Sequence, residues 1–230
     1  MNHSLITHGR GMDTNTQLRP GRHRLSRDEV KTHQRERIFR ALESVMSAKG
    51  YLDTSVADII GAAKVSRQTF YELFTSKQDC FLASYARRQE SVIRAVVDTP
   101  AVVDTPAGKP PMDRFATLLK NYLAVMAADP GLSRLYLVGI YAAGPHAVAT
   151  RLEMQQQFVD WVATAFKAQS KQDRFTCQAL VAAISTMVTS AVLEDDSQAV
   201  LDLYEPLLRT SRLLMPEHGT VGKGTHSAKR

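Results

Sequence analysis

Apolar residues recur along this chain at helical spacing, in blocks separated by capping and turn residues, and nowhere in the two-residue rhythm of a strand. The first block opens at Ser26, with Glu29 at capping-box distance. It carries Val30, Ile38, Ala41, Leu42 and Val45 inward and stops at Gly50. Thr54 is expected to cap a short second helix that turns Val56, Ile59, Ile60 and Ala63 inward. Ser66 caps a third, running to Phe74. Ser76, with Asp79 three residues on, opens a fourth that packs Phe81, Leu82 and Tyr85 and fades near Val97. There VVDTPA at Val96–Ala101 recurs at Val102–Ala107, followed by Gly108 and Pro110-Pro111, so 98–111 reads as a loop. Helical patterns resume at 112–128, 130–143, 146–169, 172–193 and 197–214, the last with a kink expected at Pro206. The pattern predicts an all-α protein of about nine helices: a three-helix head at 26–75 and a helical bundle at 76–215.

Charge changes this picture at one end. The net charge is +6 over 230 residues, and residues 1–50 hold ten Lys and Arg against five Asp and Glu. Residues 1–25, polar and without apolar period, read as a disordered basic arm, and 216–230 as a disordered basic tail. A basic arm beside a neutral body suits a polyanion partner. Two cysteines without a CxxC pair give neither a disulfide framework nor a zinc knuckle. The longest mainly apolar stretch, Leu135–Ala143, falls short of the about 20 residues a membrane span needs. The N-terminus lacks the apolar run of a signal peptide, so a cytosolic protein with no membrane partner is expected.

The segment with chemistry in it is Ser55–Phe74, SVADIIGAAKVSRQTFYELF. Two short amphipathic helices joined by a turn around Ala63–Val65 have the plan of a helix-turn-helix, whose second helix can enter the DNA major groove. An ordinary helical hairpin has the same outline. The second helix, however, begins with Ser66, Arg67, Gln68 and Thr69, and Arg and Gln suit bidentate reading of guanine and adenine. Tyr71 shares the exposed side of Gln68, and Lys77 follows at the start of the next helix; both could reach phosphates.

Arg37-Ile38, Ala41, Gly50-Tyr51, Thr54-Ser55-Val56-Ala57-Asp58-Ile59, Ala63, Val65-Ser66, Thr69-Phe70-Tyr71, Phe74 and Ser76-Lys77 together resemble the TetR family of transcriptional regulators. The resemblance covers residues 27–90; beyond them only length and helix count agree. It implies a homodimer on a palindromic double-stranded operator, usually a repressor released by a small molecule. By position it implies phosphate contacts from Thr54, Tyr71 and Lys77 and a base-reading edge of Arg67, Gln68 and Thr69. Two positions depart from the family: Lys64 stands where Gly is common in the turn, and Cys80 where Leu is usual. Cys80 is either a small core residue or a redox-sensing thiol.

The body must supply the effector site. Stripes such as Met154, Phe158, Trp161, Val162 and Ala165 ordinarily mean core. Taken together, Tyr122, Met126, Tyr136, Tyr141, Met154, Phe158, Trp161 and Met187 suit an adaptable apolar pocket. No buried charge is evident, which points to a mostly apolar effector. The last two helices, with Ala182, Ala183, Ser185 and Thr186 allowing close approach, resemble the family's dimerisation pair. Gly222-Lys223-Gly224-Thr225 lacks the spacing of a P-loop. No paired carboxylates, GxSxG or Cys/His arrangement supports an enzyme, and no cofactor or metal is expected. The competing reading is a helical dimer that acts through protein partners, its head no longer binding DNA.

Overall fold

The computed structural model describes residues 26–97 and 110–215. The basic arm, the repeat-bearing loop except its last residues, and the basic tail lie outside the described residues. Among the described residues, ten α-helices and one 3-10 turn follow one another: α1 Arg27–Lys49, α2 Val56–Ala63, α3 Arg67–Leu73, α4 Lys77–Val97, α5 Pro111–Ala128, α6 Pro130–Leu137, the turn Gly139–Ala143, α7 Pro145–Ala165, α8 Lys171–Leu193, α9 Ser197–Asp202 and α10 Tyr204–Leu214. The nine expected helices are all present, and the ninth is divided. The chain breaks at Leu203 instead of kinking at Pro206. Pro206 thus sits in the first turn of α10, where its missing N–H has no intrahelical partner to lose.

Local chemistry sets the helix starts. Ser26 and Glu29 form the reciprocal capping box, with Ser26 N–H on Glu29 Oε2 at 2.6 Å and Glu29 N–H on Ser26 Oγ at 3.2 Å. For α2 the cap is Ser55, not Thr54. Asp58 closes the box there, accepting from Ser55 N–H at 2.8 Å, and is paired with Lys49 at 2.8 Å. Those bonds, led by the one from Lys49, hold the Asp58 carboxyl well below the usual carboxylate range. Asp58→Asn should therefore be destabilising above about pH 4, the difference shrinking as pH falls further and the wild-type carboxylate protonates; urea titrations at pH 7 and pH 3 would show it.

The turn between α2 and α3 is where the sequence departs from a glycine rule. Lys64 adopts the left-handed conformation, φ 51 and ψ 48, and its N–H and that of Val65 close back on Gly61 O and Ile60 O. Arg37 on α1 reaches across to donate to Ala63 O at 2.7 Å and Lys64 O at 2.9 Å, satisfying carbonyls at the C-terminal end of α2. The turn is held from outside. Lys64→Gly is expected to stabilise the chain by about 1 kcal/mol, because glycine enters this conformation without steric cost; a urea midpoint shifted upward would record it.

Two apolar cores result. One gathers Ile38, Leu42 and Met46 of α1, Ile59, Phe70, Phe74, Phe81 and Tyr85, and continues without interruption into Leu135, Tyr136, Ile140, Ala143 and Ala147. The other fills the bundle with Val92, Phe115, Leu119, Leu123, Leu180, Val188, Val192, Leu207 and Leu208. The head therefore does not hang from α4 alone; α6, the 3-10 turn and α7 close its back. By length and composition α8 could cross a membrane, a candidate the stretch Leu135–Ala143 did not announce. Its inner side, with Cys177, Leu180, Val188 and Val192, is wholly inside the bundle, while Phe175, Met187 and Leu193 face outward.

Candidate functional site

On the head, α3 presents a polar edge on a buried hinge. Phe70 is fully enclosed, ringed by Phe74 at 5.7 Å and Tyr71 at 5.4 Å between centroids. That burial fixes the rotation of the short helix and leaves Arg67, Gln68 and Tyr71 exposed, with Tyr71 48% accessible. Ser66 caps α3 by accepting from Thr69 N–H at 3.0 Å, and the two hydroxyls lie 2.9 Å apart. The Arg67 guanidinium rests 5.9 Å from the Tyr71 ring centre and makes no ion pair among the described residues. Gln68 Nε2 donates to Glu72 at 2.8 Å. Glu72 is an exposed residue of this edge that sequence reasoning passed over, although its i, i+4 spacing from Gln68 announces the pair.

Thr54 and Lys77, expected at phosphates, are both bonded to the backbone of the head. Thr54 is 2% exposed and its hydroxyl donates to Gly50 O at 2.7 Å. Gly50 ends α1 at φ 83, so this bond fixes the bend between α1 and α2. Lys77 Nζ donates to Tyr51 O and Thr54 O, both at 2.8 Å, and sits 4.3 Å over the Tyr51 ring. Two of its three protons thus brace the loop that carries α2. Lys77→Met should cost about 1–2 kcal/mol of stability, the worth of charge-assisted bonds in a half-exposed place, and thermal melts would read it as a lowered midpoint.

In the bundle, a cavity of about 550 Å³ lies among α4, α5, α6, α7 and α8. Of the expected pocket residues, Tyr122, Met126, Tyr136, Met154, Phe158 and Trp161 line it. Tyr141 and Met187 do not. Tyr141 is on the exposed 3-10 turn and accepts from Arg151 Nε at 3.2 Å, and Met187, 48% exposed, lies on the outer side of α8. The ring pairs Tyr122–Phe158, 6.3 Å, and Phe158–Trp161, 5.2 Å, stiffen one wall. Burial pushes the Tyr122 hydroxyl up to about 12, keeping it a neutral donor.

The expectation of a cavity without charge is overturned. Arg151 of α7 is 8% exposed and lines the cavity, as do Arg88 and Arg114. No sequence signal marked Arg151, which stands between Thr150 and Leu152. Cys80 shows no thiolate character: burial foremost, with the charge of Asp79, pushes its thiol up to about 12, and burial raises Cys177 as well. A redox-sensing role for Cys80 loses its chemical basis.

A polar cluster joins cavity and head. The Tyr136 hydroxyl donates to Glu43 Oε1 of α1 at 2.9 Å and lies 2.7 Å from Ser84 Oγ of α4. Arg87 clamps the same carboxylate at 2.7 Å and Glu36 at 2.8 Å. Gln78 Nε2, at the start of α4, donates to Ala143 O at 2.6 Å. Burial, then the Glu43 charge, raises the Tyr136 hydroxyl far above its ordinary value, so it stays a donor.

Residues 38–84 match the sequence profile described as bacterial regulatory proteins, tetR family. No curated protein matches the chain. Among solved structures, the transcriptional regulator FadR of Bacillus subtilis, crystallised with stearoyl-CoA, superposes at a TM-score of 0.66 with 16% identity, covering 79% of this chain and 98% of that one. The fatty acid degradation regulator FadR of Bacillus halodurans gives 0.64 with 17% identity over 79% and 97%. GusR of Salmonella enterica gives 0.60 with 18% identity over 79% and 95%. Residues 38–84 thus match the tetR-family head, and the chain as a whole shares the all-helical fold of these solved regulators.

Proposed function

We propose that this protein is a ligand-responsive, DNA-binding regulator of transcription and not an enzyme, acting as a homodimer that reads a palindromic operator and is released when a small molecule fills the cavity. The observation that carries this is the joining of two sites through shared parts. Arg67, Gln68 and Tyr71 stand exposed on a helix locked by Phe70, and the wall of the cavity contains Tyr136, which is bonded to α1 of the same head. FadR of Bacillus subtilis, with stearoyl-CoA, lends the reading a precedent for an effector with a long apolar portion.

α4 is the lever. Its N-terminal turn is tied by Lys77 to the α1–α2 loop and by Gln78 to the 3-10 turn, and its second half lines the cavity through Val92 and Val96. A ligand that needs a different spacing of α4 and α6 favours a head position that specific DNA does not, and repression follows as the ordinary sense of the response. The outward Phe175, Met187 and Leu193 of α8, with Leu213 and Leu214 of α10, supply the apolar face for a second copy. Met187→Asp should shift the chain toward monomer in sedimentation and weaken operator binding by about tenfold or more, since one half-site is then read alone.

A gel shift with the DNA flanking the coding region tests the whole reading. A band that weakens with salt and is competed by its own sequence supports it. The absence of any shift at micromolar protein would favour a helical dimer acting through protein partners.

A further inference from the structure

We infer that the molecule filling the cavity is an anionic amphiphile whose charged group pairs with Arg151 while its apolar body lies along Val92, Val96, Phe115 and Phe158. This rests on the cavity being the effector site. Three arginines, Arg88, Arg114 and Arg151, line the space, and no Asp or Glu among the described residues does. None of the three forms an ion pair among those residues. Arg151 is the telling one. Its guanidinium is nearly enclosed and meets neutral hydroxyls alone: Tyr141 Oη from Nε and Ser185 Oγ from Nη2, both at 3.2 Å, and the hydroxyl of Tyr85.

A guanidinium carries five N–H donors and none of its three partners is an anion, so donors and the whole of its charge are left for something that enters the cavity. A buried cation without a counter-charge is unfavourable unless a partner arrives. The remaining wall is overwhelmingly apolar, and 550 Å³ is within the range of pockets that enclose a whole small molecule. A nearly enclosed cation on α7, with cations and no carboxylate elsewhere in a mainly hydrocarbon lining, defines an anionic amphiphile. A carboxylate or a phosphate head would satisfy the fork of Arg151 equally.

The test uses the full chain, a fluorescent apolar dye as cavity reporter, and three competitors below their aggregation range: palmitate, palmitoyl-CoA and neutral 1-hexadecanol. At least one anion should displace the dye about tenfold more tightly than the alcohol, the discrimination a charge-assisted contact gives. Preference for palmitate identifies a carboxylate, and preference for palmitoyl-CoA alone a phosphate-bearing head. Arg151→Gln should bring anion and alcohol within about threefold of each other, with Arg151→Lys retaining part of the preference. If Arg151→Gln does not fold, the wild-type ratio of anion to alcohol decides alone. An alcohol bound as tightly as the better of the two anions overturns the inference but leaves a cavity ligand in place. So does failure of both anions to displace a bound dye. A dye that never binds removes the effector cavity itself, and with it the reading above.

Discussion

Glu43→Ala is expected to lower stability by about 2–3 kcal/mol. One carboxylate oxygen, Glu43 Oε1, receives Arg87 at 2.7 Å, Tyr136 at 2.9 Å and Ser84 at 3.2 Å. Only 14% of the Glu43 side chain is exposed. Removing the acceptor takes one bond from each of three donors, leaving Ser84 and Tyr136 only each other, and breaking a fully buried pair costs about 3–5 kcal/mol. Arg87 remains a third exposed and keeps Glu36, which brings the figure down. For a chain of this size the thermal midpoint should fall by roughly 4–12 °C. Tyr136→Phe is the control. It deletes one hydroxyl, and Ser84 and Arg87 keep Glu43, so about 1 kcal/mol is expected. Equal losses from the two variants in urea titrations would show that the ion pair contributes nothing and that the cluster's role in joining head to bundle rests on the tyrosine alone.

That cluster was not legible in the sequence, for a physical reason. Glu43 and Arg87 are 44 positions apart and Glu43 and Tyr136 are 93, and periodicity carries no record of such pairings. The head was legible because its determinants are local. Ser26 with Glu29 and Ser66 with Thr69 act within one turn, and the Phe70–Phe74 spacing orients α3 by itself. Even there, two adjacent hydroxyls confused the cap of α2. The acidic residue three positions beyond Ser55 was the sign that Ser55 and not Thr54 accepts. In the bundle the stripes located the inner faces of α7 and α8 but not which inner positions border empty space. Met187 lies one residue from fully buried Val188, yet α8 turns it outward. Arg151 gave the opposite error, a charge drawn inside while its apolar neighbour Leu152 faces out, because Tyr141 and Ser185 meet it there.

Arg67→Ala should reduce operator affinity by about 1–3 kcal/mol per half-site, or roughly ten- to a hundred-fold, and should blunt discrimination at one base pair. The side chain begins α3, is exposed, and is held by nothing stronger than the Tyr71 ring 5.9 Å away. Leaving that ring for a guanine edge therefore breaks no ion pair. Gln68 is different, because its amide must give up Glu72 before it can read a base. Glu72 also brings a negative charge to the edge that faces phosphates. Glu72→Ala should consequently tighten binding to operator and to unrelated DNA alike, by severalfold, and lessen specificity. Fluorescence anisotropy on operator and scrambled duplexes at two salt concentrations separates these outcomes. If Arg67→Ala weakens both duplexes equally and flattens the salt dependence, Arg67 is a phosphate contact, and base reading passes to Gln68 and Thr69. If it changes neither, α3 does not enter the groove, because an unpaired arginine at its leading edge could not be a bystander there.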